Sequence, residues 1–206
     1  MENISTLVTF DPQVLHPRET YRLLTSLVVP RPIAWVSTIS ANDVPNLAPF
    51  SFFNAVAGSP PTVMISVGKR SGGLKDTLRN LQETGEFVVN LAGQGLAQAL
   101  NISSASVDYG VDEFELAGLE KAASVKVRPP RVAQAAAALE ARVTQMVPVT
   151  GSAYTMVLGQ VVYYHIREEL LDPEGWVNAV KLDPLLRLGG SQYAHLGKVF
   201  EMPRPN

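Results

Sequence analysis

RPIAWVSTISANDVPNLAPFSFFNAVAGSPPTVMISV, residues 31–67, carries three apolar runs, Ile33–Ile39, Asn46–Phe53 and Thr62–Val67. Each is rich in β-branched and aromatic residues, and Asn, Asp, Gly or Pro separates it from the next. That pattern predicts consecutive strands of a mostly antiparallel sheet. Pro30 and Pro32 hold the entry extended around Arg31. Asn42-Asp43 predicts a hairpin turn, and Pro60-Pro61 excludes helix and delivers the chain into the third strand. Ser37, Thr38, Ser51 and Asn54 then fall at or near strand ends, where short polar groups can face a ligand.

Outward from this stretch, Leu7–Phe10 is a short apolar run in an extended lead-in over residues 1–20, and Tyr21–Leu27 has a short helical character. Beyond Val67 the period changes. Leu74, Leu78 and Leu81 recur at spacings of four and three, which predicts a helix over Leu74–Thr84 stopped by Gly85, with Gly72-Gly73 loosening the chain before it. Lys75 and Thr77 lie in its first turn and are expected at the surface. Phe87–Asn90 reads as a strand, Gly95–Asn101 as a second helix, and Lys121–Val127 as a short strand. Over residues 102–119 short helices and irregular loop both fit. Leu139, Ala141 and Val143 alternate with polar neighbours, which predicts a half-buried strand over Ala137–Val147. Tyr154–Ile166 reads as a long strand with Gly159 marking a bulge or a close approach. The order is a β-rich core, two helices and a β-rich finish, in one domain spanning residues 1–206 with a glycine-rich tail over 185–206. It is mainly β or α+β, not alternating βαβ.

Composition removes several functions. The 206 residues carry a formal net charge of −2 and no long basic tract, so no nucleic-acid footprint is expected. Without cysteine there are no disulfides and no thiolate metal sites. His16, His165 and His195 are far apart in sequence, so no metal centre is expected. No apolar run is long enough for a membrane-spanning helix, and the N-terminus has no signal-peptide pattern, which makes the cytoplasm the expected location. At 17% charged and 46% hydrophobic residues, the chain has a surface suited to an oligomer.

Two features suggest a ligand. GKRSGGLKDT offers Lys69, Arg70, Ser71, Lys75 and Thr77 at a helix start, where unpaired N–H groups and the helix dipole favour an anion. The competing reading is a solvated turn capped by Ser71, with Lys75 paired to an acid. Neither standard nucleotide-loop pattern occurs. Trp35, Phe50, Phe52, Phe53 and Tyr193 could wall a flat ring, although core packing is the better explanation of any one of them taken singly. Phe52 and Phe53 are adjacent and must face opposite sides, so one needs a cover. No catalytic residue can be assigned, and His165 and His195 read as structural. Few acid–base groups and no metal set still allow an enzyme whose cofactor carries the chemistry.

RPIAWVST (31–38), NLAPFSFFNAV (46–56), PPTVMISVG (60–68), KDTLRNLQETGEFVVNL (75–91) and, more loosely, LLRLGGSQYAHLG (185–197) give the chain its resemblance to the flavin reductase-like, FMN-binding split-barrel family, in the branch of flavoredoxin-like proteins. The resemblance covers about residues 20–200. It implies an antiparallel, six-stranded, Greek-key-like barrel with flanking helices, forming a homodimer with FMN near the subunit interface. It implies phosphate contacts from Ser37, Thr38, Ser51, Asn54, Lys75 and Thr77, a flavin border at Phe50–Phe53, Tyr193 approaching from the tail, and Arg31 on the polar side. The implied activity passes hydride from NADH or NADPH through FMN to free flavin or a small acceptor. The alternative is an FMN-binding electron carrier with little nicotinamide activity. An oxidase resembling those acting on pyridoxamine phosphate, or a dimer that binds nothing, fits the motifs less well.

Overall fold

The computed structural model describes residues 6–70 and 73–205. Its main sheet has seven strands: β1 (Ala34–Ile39), β2 (Pro45–Phe50), β3 (Phe53–Gly58), β4 (Pro61–Gly68), β5 (Glu86–Leu91), β6 (Ala137–Pro148) and β7 (Tyr154–Ile166). Their order is β2-β1-β5-β6-β7-β4-β3, and every neighbouring pair is antiparallel. The two outermost strands, β2 and β3, follow each other in the chain, yet no ladder joins them. The sheet therefore curls round until its edges approach at the Ser51–Phe52 bend, which makes a barrel split along one seam.

The run Asn46–Phe53 was expected to be one strand and is two. Counted as one bent strand it restores the six-stranded barrel; as a hydrogen-bonded unit it breaks at Ser51–Phe52. The Asn42-Asp43 turn forms, with Asp43 at φ 61°, and Pro61 opens β4. The period-two pattern sorts the side chains of β1. Ala34 and Val36 join Phe50, Ile65, Val67, Phe87, Val89 and Val157 inside the barrel. Trp35 points the other way, onto Leu47, Leu100 and Phe114, and donates its indole N–H to Ser103 Oγ at 2.8 Å.

Helices flank the barrel. The lead-in is shorter than expected, because α1 (Pro17–Leu27) already starts within residues 1–20. Pro17 sits in its first turn, His16 Nδ1 accepts from Arg18 N–H, and the Glu19 carboxylate accepts from His16 N–H. The second helix, α2 (Asp76–Thr84), places Leu78 and Leu81 in the barrel core and ends on Gly85 at φ 68°, as its spacing predicted. The helix expected over Gly95–Asn101 is a 3₁₀ turn, Gln94–Leu96, running into α3 (Ala97–Ile102). The unassigned stretch that follows holds α4 (Glu113–Leu116). Among the described residues no helix is long and apolar enough to cross a membrane. Ser71 and Gly72, and with them the cap expected from Ser71, lie outside the described residues.

Two contacts fix the back of the barrel. Phe87, fully buried on β5, lies against the backbone of Gly159 on β7, where a Cβ would come within 2.3 Å of the ring. Gly159 also stands at a register shift in the β6–β7 ladder, so both readings of this glycine hold. The second contact replaces most of the strand expected over Lys121–Val127, of which only Lys121–Ala122 forms. The remainder is a loop held by Glu140 of β6, whose fully buried carboxylate accepts from Val125 N–H at 2.7 Å and Lys126 N–H at 2.6 Å. His165 Nε2 lies 2.6 Å from the same carboxylate, which gives the imidazole a hydrogen-bond partner within the fold.

Candidate functional site

The seam and the N-terminus of α2 together form a groove. Lys75 is the N-cap residue, with extended backbone (φ −68°, ψ 148°) and no side-chain cap on the first-turn N–H groups. Its ammonium lies 5.3 Å from the Phe50 ring centroid. On one side is a polar cleft lined by Asn46, Arg70, Lys75, Asp76, Thr77, Glu113 and residues 103–107. On the other is an aromatic trough lined by Tyr21, Phe50, Ser51, Phe52, Ser66 and Tyr154. Pro49 and Lys75 line both, so the two are sections of one groove with a cation at the junction. Ser51 and Phe52 continue it into a third, mostly apolar section bordered by Leu24, Phe53, Asn54 and Met64.

The polar section is electrostatically tense. Burial, and then the charge of Arg70, lower the pKa of Lys75. Among the described residues no carboxylate lies within ion-pair distance of it. Arg70 is committed elsewhere, to Val107 O at 2.7 Å and Asp76 Oδ1 at 3.4 Å. Thr77 Oγ1 accepts from Asn46 Nδ2 at 3.1 Å, which leaves its own O–H free to donate. Opposite, the Glu113 carboxylate accepts from Leu47 N–H at 2.9 Å and so covers the free edge of β2. Burial raises the Glu113 pKa to about 7 against that hydrogen bond, with help from Asp76 and Asp112.

The aromatic section is a row of rings. Phe52 stands between Tyr21, at 6.4 Å between centroids, and Tyr154, at 5.7 Å. This answers the question of the adjacent phenylalanines. Phe53 packs on the barrel core, while Phe52 is covered on two sides by tyrosines and borders the groove with the rest of its surface. Burial, and then Tyr21, raise the pKa of Tyr154.

Of the expected ligand residues, Phe50, Ser51, Phe52, Lys75 and Thr77 come together on this groove, and Phe53 and Asn54 border its far section. Of the other four, Ser37 and Thr38 require correction. Ser37 and Thr38 are fully buried; Ser37 Oγ donates to Pro130 O at 2.5 Å and Thr38 Oγ1 accepts from Asn80 Nδ2 at 3.0 Å, so neither lines the groove. Arg31, only 6% exposed, borders the far section with Phe53 and Asn54, and its η nitrogens donate to Thr25 O, Val28 O and Leu188 O, tying the end of α1 to the tail. Tyr193 packs beside Ile33, Trp35 and Leu47, and its hydroxyl is bonded to Arg187; within this chain it does not line the groove. Thr77 is also deeper than expected, at 1% exposure. Sequence reasoning missed Asn46, Ser66, Glu113 and Tyr154. The alternating pattern of NLAPF put Asn46 opposite Leu47, but nothing in the sequence marks which acids the fold buries.

Comparison with known proteins agrees with this fold. Residues 26–191 match the model of the flavin reductase like domain. A protein of Halalkalibacterium halodurans is 39% identical over 200 residues, 95% of each chain. Among solved structures, nitrilotriacetate monooxygenase component B from Bacillus cereus superposes with a TM-score of 0.92 at 35% identity, over 96% of this chain and 100% of the other. The 2-nitrobenzoate 2-nitroreductase of Pseudomonas fluorescens superposes at 0.87 with 30% identity, over 96% of each chain. With the split barrel, the groove along its seam and a family model spanning residues 26–191, the chain belongs to the flavin reductase-like domain family.

Proposed function

We propose that the protein is a flavin-dependent oxidoreductase that holds FMN in the seam groove, takes hydride from NADH or NADPH and passes electrons to a small acceptor or to free flavin. The observation that carries this reading is the continuity of the groove through Lys75. A ligand with an anionic end and a flat aromatic end, joined by a flexible polar stem, matches a cation and helix start on one side and a row of rings on the other. Lys75 and the O–H of Thr77 are the phosphate donors, with the first-turn N–H groups of α2. Phe50, Phe52, Tyr21 and Tyr154 flank the ring, and Ser51 and Ser66 meet its polar edge. When bound, flavin supplies hydride acceptance and electron release; the chain supplies binding, orientation and exclusion of water. The lowered pKa of Lys75 fits this, because a bound anion offsets the burial and the repulsion from Arg70 that disfavour its charge. The redox chemistry in the names of the two solved relatives supports the same class of reaction.

A second copy of the chain completes the site. Tyr21, Leu24 and Leu27 of α1 are 54%, 52% and 78% exposed, beside the aromatic end of the groove. Such an apolar face on a chain with few charges is suited to a homodimer. Light scattering coupled to gel filtration should give twice the mass of 22.3 kDa.

The decisive experiment is an absorption spectrum with and without FMN, followed under anaerobic NADH and then NADPH. Bound flavin that bleaches at a catalytic rate establishes the oxidoreductase and names its donor. Bound flavin that stays oxidised with both donors rejects the nicotinamide step and leaves an electron carrier.

Lys75→Ala is expected to weaken FMN binding by about 1.5–3 kcal/mol, roughly 10- to 150-fold, the value of one charge-assisted hydrogen bond. Flavin fluorescence titration measures it, and an unchanged Kd would move the phosphate elsewhere. Folding stability should change by less than about 0.5 kcal/mol, because Lys75 is only half-buried and has no ion-pair partner among the described residues. Thr77→Ala is a poorer test, since it also leaves Asn46 Nδ2 without its partner.

A further inference from the structure

We propose that Glu113 couples the binding of a phosphate-bearing ligand in the polar cleft to the uptake of one proton. The inference rests on the placement of the flavin phosphate at Lys75 and extends it. Glu113 is 4% exposed, forms part of the cleft wall that Lys75 and Thr77 also line, and is tethered to Leu47 N–H. A carboxylate so placed opposes an incoming phosphate through a poorly screened, partly buried space. The protonated acid does not. Its carbonyl oxygen still accepts from Leu47 N–H, and its new O–H can donate to a phosphate oxygen.

The groups around Glu113 leave it the one that adjusts. Asp112, the N-cap residue of α4, is ion-paired with Lys121, which also reaches Glu115. Asp76, at the start of α2, is paired with Arg70. Lys75 is the cation the phosphate needs. Neither β2 (Pro45–Phe50) nor residues 103–107 bring a titratable group. The Glu113 carboxyl, which titrates near neutrality before any ligand arrives, is raised further by a phosphate dianion; the proton comes from solvent and ends on the carboxylate.

Glu113→Gln imitates the protonated state, because its amide oxygen can accept from Leu47 N–H and its NH₂ can donate into the cleft. FMN affinity is measured by fluorescence titration between pH 7.0 and 8.5, above the second phosphate pKa of about 6. The wild-type Kd is expected to rise several-fold across this range. Glu113→Gln should bind FMN with a nearly constant Kd, tighter than wild type at pH 8.5. Parallel weakening in both proteins assigns the effect to Lys75 and overturns the proposal, as does a flat profile in both; the flavin reading survives either result. Absence of FMN binding by the wild type at every pH rejects the flavin reading and the coupling with it. Calorimetry of the wild type at pH 7.5, in two buffers of different ionisation enthalpy, tests the same point without a variant. Net proton uptake on adding FMN supports the coupling, and zero uptake overturns it.

Discussion

Glu140→Ala is expected to lower the free energy of unfolding by about 3–5 kcal/mol, measured by urea denaturation at neutral pH. The carboxylate holds two backbone N–H groups and the imidazole of His165 from a fully buried position on a central strand. Hydrogen bonds to a charged group contribute about 1.5–3 kcal/mol each, and removing the acceptor leaves buried donors unpaired. Relaxation of the 123–130 loop toward water recovers part of that loss. Glu140→Gln should fall between the two, since its amide can accept from one N–H while its NH₂ faces the other. The acid limb follows from the same site. Burial works to raise the Glu140 pKa, but the hydrogen bonds from His165, Val125 and Lys126 outweigh it and lower the pKa below its ordinary 4.5. A carboxylate lowered on folding contributes stability that is fully present above about pH 4.5 and is lost as pH falls through the folded value. Wild type should therefore lose stability on acidification below that value more steeply than Glu140→Gln, and equal acid slopes would show that the carboxylate is not held in this way.

Gly159→Val is expected to cost upward of 3 kcal/mol, at the upper end for overpacking. Its Cβ would stand 2.3 Å from Phe87 Cζ and 2.5 Å from Phe87 Cε1. Phe87 has no free volume to enter, being fully buried among Val36, Ile65 and Val157. The test is a double-mutant cycle with Phe87→Leu. Alone, Phe87→Leu leaves a void and destabilises; in the Gly159→Val background it makes room. A favourable coupling above about 1 kcal/mol is the expected signature of direct contact, whereas simple additivity would place the strain elsewhere.

How far the sequence could be read depended on whether a residue acted through its neighbours in the chain or through distant ones. Tyr154–Ile166 was legible to both ends, because a long β-branched run between turn residues has one reading. So was the stop of α2 at Gly85. The break at Ser51–Phe52 was not, since Phe50–Phe53 carries no glycine or proline and a single serine among phenylalanines does not mark a turn; only closure of the barrel forces a bend there. Lys75 could be found because a helix start announces itself locally. Ser37 and Thr38 look identical as letters to polar residues at an open strand end, and their burial is decided by Pro130 and by Asn80, 93 and 42 residues away. Glu113 and Glu140 were invisible for the same reason, as their partners lie on other strands and loops.

The seam between β2 and β3 has a consequence for how the protein ages. Its two edge strands are held apart from each other and joined by a bend of two residues, so this side of the barrel has fewer cross-strand hydrogen bonds to resist opening. A ligand lying across Lys75 and Phe52 would act there as a clasp. At a hundred times its Kd such a ligand adds about 2.7 kcal/mol to stability by mass action alone. Amide exchange in β2 and β3 should slow on adding flavin while the β6–β7 ladder is much less affected. Loss of the ligand during storage would then be the first step of inactivation, with the exposed edge at Asn54–Gly58 ready to pair with another chain.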